Sequence, residues 1–147
     1  LRRLYSVLTI AAVGAIASCS SEKLLTRPRP LPTVESVAGT YHAEVLWKVT
    51  RNGRTDYLSN GSHVDVMLGA DRSLTGDILI KGAAPGGGDL TADLTGFWHL
   101  DGRYTRLDPI VVTFLHDVRF DFIDRPVQLV GAYRVPDGYL HLWLTRE

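Results

Sequence analysis

The 147-residue chain holds one cysteine, Cys19, so it cannot form an internal disulfide or a paired-thiol redox site. Its longest apolar run falls short of the roughly 20 residues that a helix needs to cross a bilayer. There is no Gly-x-Ser-x-Gly elbow and no His-Glu-x-x-His pair. The glycines of "APGGGD" are followed by neither lysine nor a helical pattern, so they read as a loop and not a phosphate cradle. With no catalytic constellation, no enzyme activity, no cofactor and no metal are expected. A basic excess is missing too. From Val34 onward 11 Lys and Arg face 15 Asp and Glu, a formal charge of −4. A domain of that sign does not track phosphates over a long surface, and no nucleic-acid partner is expected. Beyond the N-terminal segment, helical periodicity is also missing.

What is present divides into three parts: residues 1–18, 19–36 and 37–147. Arg2 and Arg3 precede an uncharged stretch from Leu4 to Ala15, and Ala17 and Ser18 follow it. That is the basic, apolar and small-residue order of a secretory signal helix that is later removed. A buried globular helix would show a polar face, and Leu4 to Ala17 has none. Ile16-Ala17-Ser18-Cys19 resembles the lipobox of bacterial lipoprotein signal peptides at every position. The resemblance implies cleavage before Cys19, diacylglycerol on its thiol and a lipid anchor in the bacterial cell envelope. Several acyl chains hold a bilayer firmly where one binds only marginally. Ser20, in place of Asp, implies by the same analogy an outer-membrane destination. In the segment that follows, Pro28, Pro30 and Pro32 alternate with other residues, which predicts an extended tether.

From Val37 the apolar period becomes two. In "GTYHAEVLWKV", Gly39, Tyr41, Ala43, Val45, Trp47 and Val49 share one face, with Leu46 out of phase. Val64, Val66 and Leu68 alternate likewise, as do Leu74, Ile78 and Ile80, Leu90, Leu94, Trp98 and Leu100, Val118, Phe120 and Phe122, and Leu140, Leu142 and Leu144. Asn52-Gly53, Asp101-Gly102 and Asp137-Gly138 suit tight hairpin turns. The pattern predicts an all-β domain, an antiparallel up-and-down barrel of about eight strands, with a two-sheet β-sandwich as the alternative. Residues 105–117 fit either one bent strand or two short ones.

Three strands carry Gly-x-aromatic: "GTY" at 39–41, "GFW" at 96–98 and "GAY" at 131–133. Glycine lets a small barrel coil and leaves room beside a ring. Tyr41, Trp98 and Tyr133 therefore either fill one end of the barrel or line a cavity. The "AGTY" opening, "GFW" and the strand meander resemble a lipocalin-like (calycin-type) barrel. In that family the first strand carries Gly-x-Trp and an arginine of the last strand packs over the ring. Here Tyr41 replaces the tryptophan, and Arg146 takes the arginine position. The resemblance implies a small apolar ligand near Tyr41, Trp98, Tyr133 and Arg146.

Four of the five histidines, His42, His63, His99 and His141, fall on faces opposite the aliphatic rows. They read as scattered surface groups. Two or three gathered by the barrel would bind zinc or copper from outside. Phe97 and Trp143 share that polar phase, so Phe97, His99, His141 and Trp143 are a candidate patch for an envelope protein partner if their strands adjoin. The expected function is a lipid-anchored, non-catalytic binding module for a small apolar ligand. The alternative is a structural or inhibitory lipoprotein with a filled barrel that docks another envelope protein. The anchor has a direct test: the full chain made in a bacterium should incorporate labelled palmitate, and Cys19→Ser should abolish the label and leave the signal uncleaved.

Overall fold

A computed structural model of the chain describes residues 29–147; the expected signal segment, Cys19 and the first part of the tether lie outside the described residues. Nine antiparallel strands follow in order: β1 Gly39–Thr50, β2 Gly53–Asp56, β3 His63–Leu68, β4 Ser73–Ile80, β5 Leu90–Asp101, β6 Tyr104–Pro109, β7 Phe120–Asp124, β8 Val127–Val135 and β9 Gly138–Arg146. Each pairs with its neighbour in the order β2-β1-β3-β4-β5-β6-β7-β8-β9, and β1 also pairs with β9. Eight strands therefore close a barrel, and β2 lies outside the ring. Closure leaves no unpaired edge in the ring, which an open sandwich would retain.

The interior follows the period of two. Val64, Val66, Leu68, Leu74, Ile78, Ile80, Leu94, Trp98, Leu107, Phe120, Leu129, Leu142 and Leu144 are all buried in one cluster. The three Asn-Gly and Asp-Gly dipeptides sit at the β1–β2, β5–β6 and β8–β9 turns.

The first strand departs from strict alternation. Its register with β9 shifts between Ala43 and Val45, which leaves Glu44 as the extra residue of a bulge. Tyr41 and Ala43 face inward before the bulge. After it, Leu46 and Lys48 face inward opposite Leu142 and Leu140, while Val45 and Trp47 lie on the outer side opposite Trp143 and His141. The expected inward phase of Val45, Trp47 and Val49 is thus reversed, and Leu46, the residue out of phase, is fully buried. β2 and β3 share one edge of β1: β3 pairs with residues 39–42 and β2 with residues 47–50.

Two further segments differ from the sequence reading. After β6, residues Thr113–Asp117 form a 3-10 turn and not a second strand, and its Leu115 is buried. Before β1, Val34–Val37 form a one-turn helix, α1, with Thr33 and Ser36 making reciprocal capping hydrogen bonds. Val37 is buried in the core cluster and Val34 packs against it, so packing reaches back into residues 34–36 of the segment expected to be tether.

The glycines of the Gly-x-aromatic strands act sterically. A Cβ at Gly96 would lie 2.2 Å from the Asp108 carbonyl oxygen, where β5 and β6 approach each other. At Gly131 it would lie 2.5 Å from Val118 Cγ1 and 2.9 Å from the Phe120 ring. Backbone cannot give way as a side-chain tip can, so Gly96→Ala is expected to destabilise the domain by about 2 kcal/mol or more. Gly88→Ala, in the β4–β5 loop with only the Ala84 methyl at 4.0 Å, should change stability little. Denaturant unfolding of the two variants checks the contrast.

Candidate functional site

The barrel has two different ends. One is closed. Val37 of α1 sits over it, and the Tyr41 hydroxyl donates to the Val37 carbonyl at 2.5 Å. Trp98 Nε1 donates to the Gly69 carbonyl at 2.8 Å. Both rings are fully buried with their polar atoms paired, so they fill this end and line no cavity. Arg146 runs along Gly39 and donates from Nη1 to the carbonyls of Ser36 at 2.9 Å and Ala38 at 3.4 Å. Its guanidinium ties α1 to β9. Among the described residues the cations over rings are Arg54 on Trp47 and Arg119 on Tyr104, so the expected Arg146–Tyr41 stack is replaced by carbonyl capping.

The other end is open. A pocket of about 360 Å³ is lined by Lys48, Tyr57, Ile80, Leu90, Phe114, Tyr133, Val135 and Leu140, with the loop residues Gly82 to Ala84 beside them. Of the expected ligand-lining residues, only Tyr133 belongs here. Tyr41, Trp98 and Arg146 are at the far end, because Tyr133 follows its glycine near the end of β8, whereas Tyr41 is near the start of β1. The 3-10 turn brings Phe114 onto Tyr133, with ring centroids 5.3 Å apart. Among the described residues Lys48 is the one cation in the lining, placed inward by the β1 bulge. Its Nζ lies 3.0 Å from Asp137 Oδ2 on the β8–β9 turn, and that hydrogen bond holds the Asp137 carboxyl below the usual carboxylate range. A larger hollow of about 680 Å³ lies between the β1–β2 and β8–β9 tips, but Arg51, Asn52, Arg134 and Asp137 contribute to its wall. The mouth pocket is the more apolar of the two and opens onto the core.

The mouth residues missed by sequence reading were hidden for one reason each. Strict alternation from Tyr41 puts Lys48 on the outer face; the bulge reverses it, and the displaced phase of Leu46 is its trace in the sequence. Phe114 and Tyr57 lie outside strands, where period two says nothing.

The expected partner patch is not one surface. Phe97 and His99 are on β5, His141 and Trp143 on β9, and these strands lie on different sides of the ring with no shared ladder. Phe97 is 68% exposed. His99 pairs with Asp108 at 2.8 Å. Trp143 instead meets Trp47, with centroids 6.3 Å apart, and Tyr139 meets His141 at 6.4 Å. Arg54 of β2 lies 4.1 Å above the Trp47 ring. The outer aromatic face is therefore built from β1, β2 and β9. No family model, curated protein or solved structure matches this chain.

The closed end makes stability depend on pH. Burial pushes the Tyr41 hydroxyl from its ordinary 10.0 up to about 12, against the opposing effect of the Arg146 charge. Between those values the unfolded tyrosine gives up its proton and the folded one keeps it. Its contribution is therefore complete below pH 10 and lost as pH rises toward 12. Native protein should lose up to about 1.4 kcal/mol of stability per pH unit more than Tyr41→Phe over that range. At neutral pH, Tyr41→Phe should cost about 1 kcal/mol for the lost hydrogen bond. Denaturant midpoints across pH for both proteins check the difference.

Proposed function

We propose that this chain is a non-catalytic binding module of the bacterial envelope, lipid-anchored through Cys19, that takes a small apolar molecule into the mouth of its barrel. One observation carries the ligand reading: a mostly apolar pocket of about 360 Å³ at the unsealed end of a barrel whose other end is filled. That volume lies within the range of small-molecule sites, and apolar walls with a few polar groups are their usual make-up. Ile80, Leu90, Val135 and Leu140 would receive the apolar body, with the Phe114 and Tyr133 rings against it. Lys48 at the rim favours a molecule with a hydrogen-bond-accepting or anionic end, which would compete with Asp137 for the ammonium. Tyr41 and Trp98 support the site at a distance by closing the opposite end.

A second reading, docking of another envelope protein, is favoured by the outer face of Trp47, Trp143, Tyr139 and His141. Large rings at an exposed surface often anchor partners.

Native mass spectrometry of the full lipidated chain, extracted in detergent from a bacterial envelope, tests the first reading. The expected result is a co-purifying small molecule released on denaturation and missing from Leu90→Trp, which narrows the mouth. Lys48→Ala should weaken binding of the apolar anionic dye 1-anilinonaphthalene-8-sulfonate about fivefold, the equivalent of about 1 kcal/mol for a partly exposed charge contact. Protein without a bound molecule, and with no dye response, would turn the assignment to the outer aromatic face.

A further inference from the structure

We infer that the outer wall of β3 and β4 holds a divalent transition-metal site, fitted to Zn²⁺, formed by His63, Asp65 and Asp77. One donor atom from each of these side chains lies within 4.8 Å of the other two. The site is separate from the mouth pocket and faces away from the barrel interior.

Sheet register creates the cluster. Asp65 of β3 is directly opposite Asp77 of β4, and Asp77 is directly opposite Asp93 of β5. Three carboxylates thus stand in one row across three strands. On the other side of Asp65 the row continues to His42 of β1. Like charges directly opposite one another destabilise a sheet. Among the described residues the Lys and Arg ion pairs are Lys48–Asp137, Arg103–Asp121 and Arg125–Asp124, so none of them neutralises this row. The partner the row does have is an imidazole. His63 lies diagonally from Asp77, and a hydrogen bond through its Nε2 proton reaches Asp77 Oδ2 at 2.5 Å.

A metal ion would take the place of that proton and neutralise Asp65 as well. Zinc bonds of about 2 Å hold neighbouring donors roughly 3.3 Å apart, a separation that small side-chain rotations supply here. The donor set selects the ion. Imidazole nitrogen with two carboxylates suits zinc, whereas calcium and magnesium seek six or more oxygens. Position favours the site as well, because all three ligands stand on paired strands and not on a loop. The remaining coordination positions are open to water or to Asp93.

Titration of the full lipidated chain in detergent with Zn²⁺ alone, by calorimetry and by thermal unfolding, tests the inference. The expected result is one saturable site and a rise in melting temperature with zinc. His63→Ala and Asp77→Asn should each weaken zinc by more than about a hundredfold, beyond the roughly 10–100-fold loss typical of residues that only support a ligand. His99→Ala, whose imidazole pairs with Asp108 instead, should bind zinc as the native chain does. Asp65→Asn gives a second signature: it should raise the melting temperature in the presence of chelator, by relieving repulsion, and cancel the rise caused by zinc. That variant keeps the test decisive if His63→Ala folds poorly. No zinc heat and no thermal shift in the native chain would overturn the inference. So would zinc binding that survives unchanged in both His63→Ala and Asp65→Asn.

Discussion

The ladder between β1 and β9 is the contact on which the rest of the molecule depends. It runs from Tyr41 opposite Arg146 to Thr50 opposite Gly138 and turns a meander of hairpins into a ring. Without it the first and last strands would both present open edges, and the apolar row inside would face solvent. The ladder is not uniform. At Glu44 one extra residue enters, and the outward-facing carboxylate is held by the Thr145 hydroxyl at 2.6 Å and the Gln128 amide at 3.0 Å. Three strands thereby pin the bulge. Everything C-terminal to it on β1 has its sides exchanged, which puts Leu46 in the core, Lys48 at the mouth and Trp47 outside against Trp143.

The two ends of the barrel follow from what each can seal. At one, α1 supplies Val37, and the buried Tyr41 and Trp98 each find a backbone carbonyl, so large amphipathic rings pack there with no orphaned donor. Arg146 satisfies carbonyls of α1 that a single helical turn leaves free. Among the described residues no helix covers the opening at the other end. Its wall is completed by a loop, a 3-10 turn and strand ends, which are elements that bring side chains of mixed character to a rim. The proposed ligand site belongs at this end because the interior is not hollow. Its side chains form one buried cluster that includes Tyr41, Trp98, Leu46 and Leu142.

The outer wall shows a different compromise. Alternation forces every second residue outward, and these positions are free of packing constraints. On β1, β2 and β9 they carry rings and an arginine. On β3, β4 and β5 they carry three aligned carboxylates with a histidine at the flank. Repulsion of that kind weakens a sheet. Among the described residues the one partner of this row is the His63 imidazole, which reaches Asp77.

The sequence by itself determined the class and much of the interior. Period two is a local property, readable along one strand, and it correctly placed Leu74, Ile78, Ile80, Leu94, Trp98, Leu142 and Leu144 inside. Turn dipeptides are local too, and they marked the hairpins. The tertiary structure alone decided which strands adjoin, because register depends on partners far apart in the chain. That is why Phe97 and Trp143, alike in phase, lie on different sides of the barrel, and why Tyr133 and Tyr41, alike in motif, lie at opposite ends. The same cause gathers His63, Asp65 and Asp77 across a hairpin. It also explains Lys48: a bulge is an event between two strands, and a single strand records it only as one leucine out of step.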